Sequence, residues 1–148
     1  MTLTTTTMTS ETIVVDTGFW IALFDSRDEH YEKAGELNEY LEDSRVIVPW
    51  PVVYETLRTR FVRNQEWIDG FDRILKRGNI HYIEDEGFRS DAYDMVISSR
   101  RRDGRSLSMV DATLRLIIAD ASVRTDYLLT FNHVDFADVC SENSTRIL

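Results

Sequence analysis

A short stretch near the start of the chain decides the fold, Thr12-Ile13-Val14-Val15-Asp16-Thr17-Gly18. Its first four residues are β-branched and do not alternate with polar side chains, which predicts a short strand covered on both faces. Further strand-like runs follow at 46–48, 80–83 and 127–130. Because helical patterns separate these runs, the chain predicts an α/β fold, a three-layer α/β/α sandwich with a central, mostly parallel sheet.

The other predicted elements complete this alternation. Residues 146–148 indicate a short last strand, Asp28 is a candidate N-cap, and Gly78 is a candidate C-terminal cap. Apolar spacing predicts helices over 17–24, 28–41, 51–62, 64–77, 87–101 and 108–121. We find no linker or internal repeat, so residues 12–148 are predicted to form one domain after a disordered tail over residues 1–11.

Composition limits the classes of function. The 148 residues carry a formal charge of −9, which argues against a protein that binds nucleic acid over its whole surface. It leaves room for a nuclease with a local basic rim, and 15 of the 17 basic residues are arginine, which suits bidentate phosphate contacts. With no long apolar run and one cysteine, Cys140, the chain is expected in a reducing cytoplasm, with no membrane association and an inert thiol.

Four acidic residues lie where predicted strands give way to helices or loops. Asp16 follows the first strand, Glu55 lies in the helix after the second, Asp111 opens a later helix, and Asp135 follows the strand over 127–130. Strand carboxyl ends meet at one edge of a parallel sheet, where ligands bind. Carboxylates gathered there repel one another unless a cation lies between them. The layout therefore predicts a Mg²⁺ or Mn²⁺ site.

Each of the first three carboxylates also has a purely structural interpretation. Asp16 is a suitable N-cap for the first helix, and Glu55 in a first turn would be a partner for the helix dipole. Asp111 lies three residues after Ser108, a spacing that predicts a capping box. These roles are compatible with cation binding.

The segment Thr130–Phe136 offers two candidates for the fourth position. Asn132 could orient a carboxylate or a water, and Asp135 could complete the acidic set; both could instead make local turn bonds. Thr130 could donate to a metal-bound water or a phosphate, or serve only the turn. Thr17, directly after Asp16, is a further supporting residue.

At these residues the chain resembles the PIN-domain nucleases, in particular the VapC-type toxins of bacterial toxin–antitoxin pairs. The matching segments appear in family order and span nearly the whole predicted domain: Ile13–Phe19, Pro51–Glu55, Ser108–Ala112 and Leu129–Phe136. One departure is Asn132, where some members have aspartate. The resemblance implies a metal-dependent ribonuclease that uses Mg²⁺ or Mn²⁺ held by Asp16, Glu55, Asp111 and Asp135.

The resemblance also implies partners. They are an RNA substrate, an antitoxin protein and a second copy of the chain in a homodimer. An arginine run near the end of one predicted helix could hold RNA phosphates or could simply offset the helix dipole: Arg100, Arg101, Arg102 and Arg105.

Two rival classes fit the sequence less well. A phosphate-accepting receiver domain would need an acidic pair after the first strand and a late lysine; Asp16 stands alone, and no lysine follows Lys76. A PIN-like module that binds RNA or protein without cutting is the second rival, and a housekeeping RNA-processing nuclease is an alternative to the toxin. The early aromatics Phe19, Trp20 and Phe24 are either core residues or, if exposed, an apolar patch that a partner would cover.

Overall fold

The computed structural model describes residues 11–102 and 106–148. Its strands are β1 (Thr12–Val15), β2 (Arg45–Pro49), β3 (Ile80–Ile83), β4 (Tyr127–Leu129) and β5 (Arg146–Ile147). They form one five-stranded sheet in the order β3-β2-β1-β4-β5, and every neighbouring pair is parallel. The predicted parallel α/β architecture is confirmed.

Helices connect all the strands, as parallel pairing requires. A single 3₁₀ turn over Glu86–Phe88 precedes the sixth α-helix. The helices are α1 (Thr17–Phe24), α2 (Tyr31–Glu42), α3 (Trp50–Thr56), α4 (Thr59–Val62), α5 (Gln65–Leu75), α6 (Arg89–Arg102), α7 (Met109–Ala119) and α8 (Ala137–Glu142). Among the described residues, none of these helices is long and apolar enough to cross a membrane.

The strand order creates a crevice next to the first strand. The chain adds β2 and β3 on one side of β1, then returns to add β4 and β5 on its other side. Since crossovers between parallel strands are right-handed, the two halves of the chain put their helices on opposite faces of the sheet. The direction reverses between β1 and β4, and open α/β sheets bind their ligands at the carboxyl ends of such a strand pair.

The core lies on both faces of the two central strands. Val14 and Leu128 pair in register, and both are fully buried. Phe19 and Trp20 also have no exposed surface, which rules out their forming an apolar patch. The Trp20 ring packs edge-on against Phe71 of α5 at a centroid distance of 5.3 Å, so α1 is fixed by aromatic contacts.

Two caps differ from their predictions. Asp28 does not cap α2; its side chain accepts the His30 N–H at 2.8 Å in a local turn, and the helix begins at Tyr31. The prediction of Gly78 as a cap was also wrong, because α5 ends at Leu75 and Lys76 takes the C-cap position.

The predicted helix over 51–62 is two helices. The chain turns at Leu57, whose ψ of 45° is outside the helical range, so α3 and α4 are separate. Apolar spacing alone did not show this break. The predicted tail covers residues 1–11, and all of it except Glu11 lies outside the described part of the chain.

Candidate functional site

Asp16 lies at the crevice between β1 and β4. Its backbone N–H donates to the Leu129 carbonyl at 3.0 Å, which continues the strand pairing, and its side chain then caps α1. One carboxylate oxygen, Oδ1, accepts the Thr17 N–H at 2.7 Å, and the other, Oδ2, accepts the Thr130 hydroxyl at 2.8 Å. Asp16 is only 8% exposed, so its carboxylate is fixed in a largely dry place.

Burial and neighbouring negative charges disfavour the ionised form of this carboxyl. Burial is the largest cause, and it raises the pKa of Asp16 to about 6 although both hydrogen bonds act to lower it. The charges of Asp111 and Glu55 raise the pKa further. The charges of two acidic side chains from other elements thus reach Asp16 at this edge of the sheet. A carboxylate in such surroundings is a candidate functional group.

Asp111 stands in the first turn of α7 and forms the predicted capping box. Its N–H donates to the Ser108 hydroxyl at 3.0 Å, and its Oδ2 accepts the Ser108 N–H at 3.3 Å. This second bond is long, and the side chain is only partly buried. The structural role therefore orients the carboxylate without enclosing it.

Glu55 lies one residue before the end of α3, rather than in a first turn. The predicted interaction with a helix N-terminus was therefore wrong, because a carboxylate near the C-terminal end of a helix gains nothing from the dipole. Its side chain is partly buried, and its charge is felt at Asp16. A charge held in an unfavourable place indicates a role other than helix stability.

Thr130 connects the acidic cluster to the loop after β4. It is 1% exposed, donates its hydroxyl to Asp16, and accepts the Asn132 backbone N–H at 3.0 Å. The Asn132 amide then donates to Asp135 Oδ2 at 2.7 Å. The two candidates for the fourth position are therefore bonded to each other, and Asp135 reaches Asp16 through a chain of hydrogen bonds.

Arg115 holds this loop in place and was missed in the sequence. Its Nη1 donates to the Asp135 carbonyl at 2.6 Å, and its guanidinium makes two bonds of 2.7 Å to the Asp138 carboxylate. The pairing with Arg115 lowers the pKa of Asp138 to about 2. The available signal was a lone arginine four residues after Asp111, on the same side of an otherwise apolar helix.

A second contact supports the loop from α2. The His30 ring stacks on Phe131, with ring centroids 4.2 Å apart and planes 9° from parallel. His133 is exposed. The arginines predicted as an RNA contact are not tested by the structure. The side chains of Arg100–Arg102 and all of Arg105 lie outside its described part.

The donor set fits a cation that keeps much of its water. Within the described residues, no three acidic, histidine or cysteine side chains come close enough together to form a ready-made cation cage. Mg²⁺ commonly takes only one or two carboxylates, with waters and substrate phosphates as its other ligands. Thr17, whose backbone N–H bonds to Asp16, adds a buried hydroxyl with no hydrogen-bond partner in the described residues. Oxygen groups of this kind suit a hydrated divalent cation.

The chain belongs to the PIN domain family, whose model matches residues 13–140. Two similar solved structures contain VapC-type proteins. The Mycobacterium tuberculosis toxin VapC20, described as cleaving the sarcin–ricin loop, is 22% identical over 85% of this chain and 94% of its own, with a TM-score of 0.66. VapBC2 from Rickettsia felis, bound to a fragment of its promoter DNA, is 12% identical over 93% of this chain and 97% of its own, with a TM-score of 0.58. No curated protein matches the sequence.

Proposed function

We propose that this chain is a metal-dependent ribonuclease that hydrolyses RNA phosphodiester bonds. The observation that carries the proposal is the buried Asp16 carboxylate, which is held in the β1/β4 crevice with the charges of Glu55 and Asp111 nearby. Burying a carboxylate among like charges is costly unless a cation offsets them. PIN-domain membership supports a nuclease, and the resemblance to VapC-type toxins supports RNA as its substrate.

The cation would be Mg²⁺ or Mn²⁺, held by Asp16 and Asp111, with Glu55 and Asp135 binding its waters or a second ion. When bound, such a cation supplies a nucleophilic water and offsets charge on the phosphate oxygens. No histidine or cysteine nucleophile is required.

The protein's own contribution is to position these oxygen atoms before substrate arrives. Thr17 and Thr130 each fix one oxygen of Asp16, so the carboxylate cannot rotate away. The bond from Asn132 orients Asp135 from the next turn of the same loop. The hydroxyl of Thr17 is buried and has no hydrogen-bond partner among the described residues. Groups that are already oriented lose little freedom when the transition state forms.

The proposed biological role is that of the toxin of a type II toxin–antitoxin pair. The support is the resemblance to VapC-type toxins and the likeness to the two VapC-containing structures. An antitoxin protein and a second copy of the chain are the partners we propose. A housekeeping RNA-processing nuclease is the alternative with the same chemistry.

Cleavage of total cellular RNA by the purified protein tests the enzymatic part. We expect cutting with Mn²⁺ or Mg²⁺ that EDTA abolishes and that Asp16→Asn removes. Asp43→Asn is the matched control, because Asp43 is exposed just before β2, at the far end of that strand from the site. If the folded protein leaves RNA intact with either cation, the nuclease proposal is wrong and a non-cutting RNA- or protein-binding module takes its place.

Expression in a bacterial host separates the two biological roles. A toxin arrests growth in a manner that depends on Asp16, whereas a housekeeping nuclease with the same RNA cleavage in vitro leaves growth unaffected.

A further inference from the structure

A basic groove lies beyond the C-terminal end of α1, away from the acidic cluster. It has a volume of about 530 Å³ and opens widely to solvent. Arg27 comes from the loop after α1, whereas Arg60 and Arg63 come from α4 and its C-cap. Three arginines around one groove are notable in a chain with a formal charge of −9.

A buried aspartate under the groove fixes two of these arginines. Asp25 is 4% exposed, and its carboxylate accepts bonds from Arg60 Nη2 at 2.7 Å and from Arg27 Nε at 3.3 Å. These bonds, led by the one from the Arg27 backbone N–H, lower the pKa of Asp25, so it stays ionised. The two guanidinium groups are largely exposed, so they are oriented in advance and still accessible.

Arg63 supplies a positive charge without an ion pair among the described residues. It is exposed, and no carboxylate lies within ion-pair distance of it among the described residues. Glu66, also on the groove, is the one opposing charge in its lining. The N-terminus of α5, capped by Asn64 through a bond from the Trp67 N–H at 3.2 Å, adds a partial positive charge.

We propose that this groove binds the phosphate backbone of the RNA substrate. Exposed guanidinium groups whose orientation is fixed can each make two parallel bonds to the oxygens of one phosphate. Trp67, a half-buried residue that lines the groove, packs its ring against Phe61 at a centroid distance of 5.6 Å. The assignment rests on the proposed nuclease function and adds the place at which the protein holds the RNA strand.

The position of the groove suits a strand that runs through the acidic cluster. Asp16 and Asp25 lie at opposite ends of α1, whose eight residues span about 12 Å at 1.5 Å per residue. That length corresponds to about three or four stacked nucleotides at 3.4 Å each. The groove would therefore hold the RNA a few nucleotides from the cleaved bond.

Direct RNA binding in the non-cutting Asp16→Asn background tests the assignment. Arg63→Gln and Arg27→Gln are the test variants. Arg45→Gln is the matched control, because Arg45 is exposed at the first residue of β2, at the end of that strand away from the acidic cluster, and does not line the groove. The readout is fluorescence anisotropy of a labelled single-stranded RNA across a salt series. Arg60 is left intact because it makes the shorter of the two ion pairs with the buried Asp25, 2.7 Å against 3.3 Å for Arg27.

We expect Arg63→Gln to weaken RNA binding about fivefold near 0.1 M salt. The slope of the logarithm of the binding constant against the logarithm of the salt concentration should become shallower by about 0.7, as loss of one single-strand phosphate contact requires. Arg27→Gln should act in the same direction, while the control keeps both values. With Asp16 restored, Arg63→Gln should raise KM and leave kcat nearly unchanged, since the contact is remote from the chemistry.

Equal affinity and slope for Arg63→Gln and the control, at equal resistance to urea, would overturn the assignment. So would a variant that keeps its RNA affinity but loses affinity for a polyglutamate peptide, because the groove would then be a protein site. The outcome is separable from that of the proposed function. RNA binding that depends on Arg63 in a protein that never cuts would refute the nuclease alone, and cutting that ignores Arg63 would refute the groove alone.

Discussion

Replacing Asp16 by asparagine should stabilise the metal-free protein at neutral pH while removing the proposed activity. The pKa of Asp16 is raised from 3.8 to about 6, so keeping this carboxyl ionised in the folded state costs about 3 kcal/mol at high pH. Asparagine carries no charge and is an equally good N-cap. It cannot accept the Thr130 hydroxyl with its amide nitrogen, a loss of about 1 kcal/mol. The net gain for Asp16→Asn is therefore about 2 kcal/mol.

The sign of this effect depends on pH. Because the folded pKa lies above the unfolded one, the unfavourable term is absent below pH 3.8, grows as the pH rises to about 6, and stays constant above that. Urea denaturation in EDTA should thus show a small loss of stability near pH 4, where the missing Thr130 bond outweighs the charge term, and the full gain near pH 8. Added Mg²⁺ should stabilise the original protein and not the variant.

A variant that is less stable than the original protein at both pH values, or equally stabilised at both, would show that the Asp16 charge is not unfavourable in the folded state. Asp43→Asn, an exposed carboxyl, is the control and should leave stability unchanged at both pH values.

Other substitutions test the packing around the site. Arg115→Met should lower the free energy of unfolding by about 1 kcal/mol near neutral pH, because it removes bonds to the loop after β4 and an exposed carboxylate partner; urea denaturation measures this. Gly70→Ala should lower the free energy of unfolding by about 1 kcal/mol, since the added methyl would lie 2.6 Å from a ring atom of Phe24. Gly35→Ala meets open space and should raise the free energy of unfolding by about 0.5 kcal/mol. A gain in stability at both positions would contradict this. Burial raises the pKa of Cys140 to about 11, so its thiol should react with iodoacetamide only in denaturant, and rapid labelling of the folded protein would disprove the inert assignment.

Much of the fold could be predicted from runs of residues whose neighbours in the sequence determine their secondary structure. The run Thr12–Val15 forms the predicted strand because unbroken β-branched residues suit a sheet covered on both faces. The short helix α8 was missed because its six residues are too few to show an apolar period. The break at Leu57 depends on tertiary packing, so apolar spacing did not reveal it.

The candidate site was only partly accessible from sequence. The position of Asp16 followed from the rule that parallel strands present their carboxyl ends at one edge. The bond from Thr130 to Asp16 joins residues 114 positions apart, and the charge of Glu55 reaches Asp16 from another element. No local pattern encodes such contacts. Arg115 was overlooked because its partners, the Asp135 carbonyl in the loop after β4 and the Asp138 carboxylate in α8, lie 20 and 23 positions away.

The most direct test of the central claim is Mn²⁺ binding by the purified protein, followed by electron paramagnetic resonance with and without a short RNA. We expect the original protein and Asp43→Asn to bind Mn²⁺, more tightly with RNA present, and Asp16→Asn to lose this binding while remaining folded. Equal Mn²⁺ binding by Asp16→Asn and the original protein would contradict the assignment of the acidic cluster as the cation site.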